Sequence, residues 1–465
     1  METAAPQLPD TPVGRQCAAW LDVFNDSARN DYGAFLKRSY PLRAAALDEE
    51  WSFRQMTGGF TLRKVEESQA TRLVALVQER DSDVFARLTM EVDRATPHVI
   101  TWLDLQTIDR PAEFALPHLS EGALLVALRT KLDDYARSDR FSGAILFARH
   151  ARVLHAEAYG FADRDRRIAN TLQTRFRIGS MNKMFTATAI LQLVAAGKLS
   201  LDAHLSTFVP DIANGDVITV QQLLNMTSGV YSYTEDDTFL TDYFAIPQMP
   251  FTPDDALAIV RAHEPDFAPG TDIHYSDSNF VLLELIAEEL TGEPFGDTIT
   301  SQILDKVGLD ATSYPITDAM PEPFTHGYLA QPFGGPRDVT LGNPGVGGGA
   351  GAMISTLEDL HKWAVALGTG TLLPRELQRQ RLVSKAMVTT PTVKFSYGMG
   401  ITEVNGFYGH DGGILGYASA MFYLPKERAT IVVLANSDNV SAQSALWTFI
   451  GIASYLYPKQ FPKGL

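Results

Sequence analysis

Thr174-Arg-Phe-Arg-Ile-Gly-Ser-Met-Asn-Lys183 runs directly into Met184-Phe-Thr-Ala-Thr-Ala-Ile-Leu-Gln-Leu-Val194, and the reading of this stretch decides the fold. From Met184 to Val194 apolar side chains fall on nearly every face, the pattern of a helix buried all round. Gly179 ends the preceding segment, and Ser180 stands where the helix begins. Unpaired backbone N–H groups there favour negative charge developing on a hydroxyl. Lys183 follows one helical turn later, so its amine rises beside the Ser180 oxygen. Burial favours the neutral amine. A neutral amine beside a serine hydroxyl is a nucleophile with its base attached. The same letters also describe an N-cap serine and a lysine that snorkels to solvent. The rest of a site has to decide.

Two later stretches could complete one. Phe267 to Phe280 reads as a Pro269-Gly270 turn, a short extended piece and then a helix from Val281 to Leu290. Tyr275, Ser276 and Asp277 lie on the loop before that helix, where side chains can point into a cleft. A phenol beside a lysine ammonium has its phenolate favoured, so Tyr275 could move a proton. Asp277 could hold Lys183 or a substrate amide; equally, it could only cap the helix. Tyr408-Gly-His-Asp-Gly-Gly-Ile-Leu-Gly-Tyr417 precedes a strand from Ala418 to Leu424. The glycines around His410 let ligand and backbone approach closely. A cationic or hydrogen-bonding His410 could meet a substrate carboxylate, and the N–H groups of Gly413 and Ser180 could form an oxyanion hole. The bland alternative is a glycine-rich turn carrying a solvated histidine. Gly345-Val-Gly-Gly-Gly-Ala-Gly351 is no dinucleotide loop, because no strand feeds it and no acidic residue follows on a second strand. It reads as close backbone packing beside a cleft, running into a capped helix at Ser355 to Leu360.

Composition narrows the function classes. With 465 residues, two or three structural units are expected. The net charge of −16 repels nucleic acid and anionic membrane. Cys17 is the one cysteine, which excludes an intrachain disulfide and a thiolate zinc cluster. The ten histidines show no close metal-ligand spacing. No run reaches the roughly 18 apolar residues of a membrane helix. The first ten residues have neither a basic nor an apolar leader region, although Ala4-Ala5-Pro6 also resembles a chain starting just after a removed signal.

Residues 12 to 56 read as helices, and the period then alternates through Phe60–Val65, Thr71–Gln78, Val84–Val92 and Val99–Thr107. Helices followed by a meander predict a small α+β domain over 1–112, resembling a cystatin-like or nuclear-transport-factor-2-like module and carrying no catalytic constellation. Its expected work is binding, homo-oligomer formation or shaping a cleft. A proline-punctuated linker, 109–118, follows, and 113–465 forms the second domain. There a helix from Glu121 to Ser138, a hairpin at 141–159, helices and long loops to 330, strands at Tyr397–Val404, Tyr417–Leu424 and Thr430–Asn436, and a final helix at 442–457 imply a sheet built from distant segments.

Ser180-x-x-Lys183, Tyr275-Ser-Asp277 and His410-Asp-Gly412 together have the order and spacing of the serine β-lactamase and penicillin-binding-protein superfamily. The chain resembles its class C β-lactamase-like branch, which includes D-alanyl-D-alanine carboxypeptidases, D-aminopeptidases and carboxylesterases. Phe141-Ser-Gly, Phe176-Arg-Ile-Gly-Ser180, Gly197-Lys-Leu-Ser-Leu201, Leu223-Leu-Asn-Met-Thr-Ser-Gly229 and Pro269-Gly-Thr271 add to the match, which covers roughly residues 120–440. The resemblance implies an α+β fold, an antiparallel sheet flanked by helices plus a helical subdomain. Ser180 would be the acylated nucleophile, Lys183 would share proton transfer with Tyr275, and Gly413 with Ser180 would supply the oxyanion N–H groups. Asp277 stands where the pattern more often has asparagine, and His410 where class C β-lactamases have lysine. Asp277 would raise the lysine pKa and shift the base role towards Tyr275. Met226, where relatives often show histidine, reads as peripheral.

The resulting expectation is a serine hydrolase acting on amide, peptide or ester bonds, foremost a peptidase or D-amino-acid amide hydrolase, with a small-molecule or peptide substrate and no cofactor. A promiscuous carboxylesterase and a catalytically silent sensor of the same fold are the alternatives. Relatives usually act in the periplasm or outside the cell.

Overall fold

Alternating patterns in 60–108 and continuous apolar runs in 143–148 and 417–435 call for two kinds of sheet, one with a wet face and one covered on both sides. The computed structural model of the chain describes residues 6–80, 84–108, 110–114, 121–137, 141–150, 152–329, 337–389, 393–438 and 445–461. Parts of the expected linker (109 and 115–118), Ser138 and residues 442–444 of the expected last helix lie outside these. Two compact units emerge: the N-terminal residues through Leu124 with those from Ile450 onward, and the described residues between Leu125 and Phe449. This division falls inside helix Glu121–Arg137, a little after the boundary expected at 112/113.

In the first unit, Thr11 accepts from the Gly14 N–H and Pro12 opens helix α1 (Pro12–Asp26), the expected start chemistry. Helices α2 (Arg29–Ser39) and α3 (Leu47–Thr57) follow, and Gly58 ends α3 in the left-handed region. Strands β1 (Phe60–Ser68), β2 (Arg72–Glu79), β3 (Phe85–Val92) and β4 (Ile100–Ile108) form an antiparallel meander in sequence order. Trp20, Phe24 and Phe60 stack in its core, with Tyr32 edge-on to Phe24, beside Leu88 and Met90. Cys17 is buried there, and burial pushes its thiol up to about 12, which removes it as a nucleophile.

In the second unit, α4 (Glu121–Arg137) leads to β5 (Gly143–Arg149) and β6 (Arg152–Tyr159). Six further strands come from the far end of the chain. These are β7 (Lys385–Thr389), β8 (Lys394–Tyr397), β9 (Thr402–Val404), β10 (Phe407–Ile414) and β11 (Tyr417–Leu424), and β12 (Ala429–Ala435) closes the set. Together they make one antiparallel sheet in the order β7-β8-β9-β10-β11-β12-β5-β6. Every residue of β11 and β12 is buried, the signature of central strands covered on both faces.

Helix α5 (Asn182–Ala195) is the expected buried helix: all its residues from Asn182 to Leu191 are buried. Helix α6 (Ser278–Thr291) packs beside it, and α7 (Leu357–Thr369), capped by Thr356, stacks Trp363 on Phe185 at 4.1 Å between ring centroids. A final helix, α8, spans Ala445–Leu456. Among the described residues no helix is long and apolar enough to cross a membrane, and no group of three or more His, Cys, Asp or Glu could hold a metal ion.

Two expectations need correction. Tyr397–Val404 is not one strand. Gly400 turns the chain at a φ of 63° and donates its N–H to the Leu224 carbonyl, so β8 and β9 pair as a hairpin. A Cβ there would lie 2.2 Å from that of Ala187, which is why the turn presses α5 so closely. The His410 glycine stretch does not merely precede a strand; it lies within one, β10, in register with β11 from His410↔Met421 to Gly413↔Ala418. Glycines at a strand usually weaken it, but here they admit the Ser180 backbone.

Candidate active site

The site is built where three elements meet. Ser180 lies in a 3-10 turn, Gly179–Met181, and Lys183 is the second residue of α5. Gly179 takes a φ of 49°, and a Cβ on it would sit 2.7 Å from the Gly413 carbonyl oxygen, so only glycine brings the turn against β10. A Cβ on Gly412 would in turn lie 3.0 Å from the Ser180 nitrogen, and that same Gly179 Cβ 2.9 Å from the Gly413 nitrogen. The two backbones that carry the expected oxyanion donors therefore run side by side. Gly413 is exposed and Ser180 half-buried, so this edge opens to solvent.

Lys183 is wholly buried, and its amine has three acceptors: Ser180 Oγ at 3.0 Å, Asp277 Oδ1 at 2.5 Å and the Ala350 carbonyl at 3.0 Å. The carbonyl and the carboxylate can only accept, so they take two N–H bonds in any protonation state. The third position faces Ser180. An ammonium donates to Oγ there, whereas a neutral amine offers its lone pair to the Ser180 O–H. Burial holds the lysine pKa below its ordinary value, and the Asp277 charge opposes without overcoming it. The carboxylate was expected to dominate; the depth of the site reverses that order.

Asp277 does not cap α6 with its side chain. Its Oδ2 accepts from Thr234 Oγ1 at 2.8 Å, and its N–H donates to Ser232 Oγ at 3.1 Å. The Tyr275 ring centroid lies 4.9 Å from the lysine nitrogen. Burial and then the Asp277 charge push its phenol well above the ordinary value, against the expected phenolate. Tyr275 is a neutral phenol in the resting site.

His410 is buried. Its Nδ1 lies 2.5 Å from the Asp411 carbonyl, which can only accept, so Nδ1 carries the proton and Nε2 receives the Tyr397 hydroxyl at 3.0 Å. Burial, reinforced by Lys183, lowers its pKa to about 3. The hydrogen-bonding form of this histidine is present, not the cationic one.

Sequence reasoning missed several supports. Tyr397 was read only as a strand residue, and Thr234 and Ser232 carried no motif. Met226 supports the Tyr275 loop: its Sδ accepts from the Ser276 N–H and Asn279 Nδ2, both at 3.4 Å, and its carbonyl accepts from the His274 N–H. Its φ of 64° was a signal that residue type alone does not carry. Glu284 on α6 accepts from the Gly349 N–H at 2.6 Å and the Tyr314 hydroxyl at 2.7 Å. It thereby fixes the glycine turn whose Ala350 carbonyl receives Lys183.

Glu284 also yields a pH prediction. Burial raises its carboxyl from 4.5 to about 7. The folded state therefore keeps a proton that the unfolded chain loses above about pH 4.5, and stability falls as pH rises towards 7. At 1.36 kcal/mol per pKa unit, the loss is about 3 kcal/mol. Glu284→Gln should gain that amount relative to wild type between pH 4 and pH 8 in urea denaturation. A difference that stays flat with pH would contradict a buried, protonated Glu284.

The comparisons fit this geometry. The family profile described as Beta-lactamase matches residues 128–453. The chain belongs to the Beta-lactamase family. Among curated relatives, "Putative penicillin-binding protein PbpX" of Bacillus subtilis is 29% identical over 66% of this chain and 74% of its own length. "Protein flp" of Staphylococcus aureus is 26% identical over 64% of this chain and 59% of its own. Among solved structures, a D-stereospecific amidohydrolase from Streptomyces sp. is 30% identical, with a TM-score of 0.62 over 73% of this chain and 99% of that one. The D-amino acid amidase of Ochrobactrum anthropi SV3, 23% identical with a TM-score of 0.63 over 72% of this chain and 99% of that one, shares the fold. This family fold, which includes serine hydrolases, is thus the frame for the site.

Proposed function

We propose that the protein is a serine hydrolase that forms an acyl-enzyme at Ser180 and cleaves amide or ester bonds, with D-amino-acid amides as its main substrate type. The observation that carries this reading is the Lys183 amine, held by two fixed acceptors and facing Ser180 Oγ at 3.0 Å with its third position. The neutral amine takes the Ser180 proton as Oγ attacks the carbonyl carbon. The Ser180 and Gly413 N–H groups receive the oxygen as it becomes negative. Tyr275, still carrying its proton, donates it to the leaving nitrogen or oxygen and recovers one from Lys183. Water then attacks the acyl-enzyme by the same groups in reverse. The base role thus rests on Lys183 and the acid role on Tyr275. The D-amino-acid amide preference rests on likeness to the Streptomyces amidohydrolase.

The test is a time course of intact mass after mixing with D-alanine p-nitroanilide, D-alanine p-nitrophenyl ester and benzylpenicillin in turn. An acyl adduct mapped to the peptide containing Ser180 is expected with the first two. No adduct and no substrate loss with any of the three would reject the reading.

A further inference from the structure

Asp411 stands between His410 and Gly412 and has no part in the chemistry above. Side chains alternate along β10, so His410 turns into the buried sheet while Asp411 points to the opposite face, on the same side as Gly413. Its side chain is 41% exposed. One strand repeat, about 7 Å, separates it from Gly413, so it flanks the carbonyl position of a bound substrate. Gly413, two residues on, has its backbone beside that of the Ser180 turn, and the Asp411 charge is felt at Lys183, Tyr275 and Tyr397.

That carboxylate lacks a counter-ion. Among the described residues its one neighbour at ion-pair distance is His410, whose Nδ1 lies 3.9 Å away. This ring is neutral, and its Nδ1 proton is engaged by the Asp411 carbonyl. Lys183 is committed to Asp277. Burial pushes the Asp411 carboxyl above its usual range, and the one cation it feels, Lys183, is already held by Asp277, so a substrate carboxylate entering here would meet a negative charge. A substrate ammonium would find a partner that no side chain has claimed.

We propose that Asp411 is a specificity-determining residue, whose carboxylate selects substrates with an ammonium group close to the scissile bond over those with a carboxylate there. This rests on the acyl-enzyme reading and deepens it: the preferred substrates are amides or esters of amino acids with a free amine. Substrates carrying a carboxylate beside the scissile bond are disfavoured.

The test uses the full chain and three substrates with one leaving group: D-alanine p-nitroanilide (ammonium), N-acetyl-D-alanine p-nitroanilide (neutral) and N-succinyl-D-alanine p-nitroanilide (carboxylate). Wild type should show kcat/KM for the ammonium substrate at least tenfold above the neutral one, with the carboxylate lowest. In Asp411→Asn and Asp411→Ser the ammonium-to-neutral ratio should fall about tenfold, chiefly through KM, and Asp411→Lys should favour the carboxylate. Turnover that depends on Ser180 but shows no charge preference in wild type, or a preference that survives in both neutral variants, overturns the role of Asp411 and leaves the acyl-enzyme standing. Turnover that persists in Ser180→Ala removes both.

Discussion

Ser180→Ala should lower kcat/KM by about four to six orders of magnitude, the range seen when a catalytic serine is removed from a proton-relay site. It should leave the melting temperature within about 2 °C of wild type. The side chain loses one oxygen at a half-buried position, and the turn that holds it is set by Gly179 and the β10 backbone, not by the hydroxyl. Lys183 keeps Asp277 and Ala350 as partners, so the amine is not left unsatisfied. Paired rate and calorimetric measurements check both halves. A variant that turns over D-alanine p-nitroanilide at more than a hundredth of the wild-type rate would show that the nucleophile lies elsewhere.

Lys183→Met should have a comparable kinetic effect, about three orders of magnitude or more, because the hydroxyl loses its base. Its effect on stability is of a different kind. Methionine fills the apolar length of the lysine but strands the Asp277 carboxylate, which is only 18% exposed, with Thr234 as its remaining side-chain partner. Leaving a largely buried carboxylate short of a hydrogen-bond donor costs about 3 kcal/mol. Adding Asp277→Asn to Lys183→Met should recover most of that stability and none of the activity. Urea denaturation of wild type, the two single variants and the double variant measures this. If the double variant is no more stable than Lys183→Met, the contact between Lys183 and Asp277 does not carry the energy assigned to it.

Both predictions depend on the order of two opposing effects on one amine. The attraction of Asp277 is visible as a sequence possibility, since a carboxylate two residues past Tyr275 can be placed beside a lysine on paper. The depth of the amine is not visible that way. It depends on Trp363 stacked on Phe185, the Gly400 turn against Ala187 and the Ala350 carbonyl, and Trp363, Gly400 and Ala350 are far from Lys183 in sequence. Desolvation is a property of everything packed around a group, so no motif reports it. The same reason explains why Tyr275 stays a phenol and His410 stays neutral, although their residue types leave the charged forms open.

The local chemistry was written in the chain. An all-round apolar run after Ser180-x-x-Lys183 specifies a buried helix with a reactive mouth, and that is α5. The change of period after Thr57-Gly58-Gly59 specifies helices and then a meander. The order of the three motifs identified the family. Only the tertiary structure decided how they act on one another. His410 and its glycines became a strand because β11 lies alongside, Met226 became a support because the Tyr275 loop folds over its sulfur, and Asp411 came to stand beside the His410 ring, two residues from Gly413. Periodicity and turn residues act over a few neighbours and can be read one residue after another. Burial, protonation state and counter-ions are set by residues that are distant in sequence and adjacent in space, and folding alone brings them together.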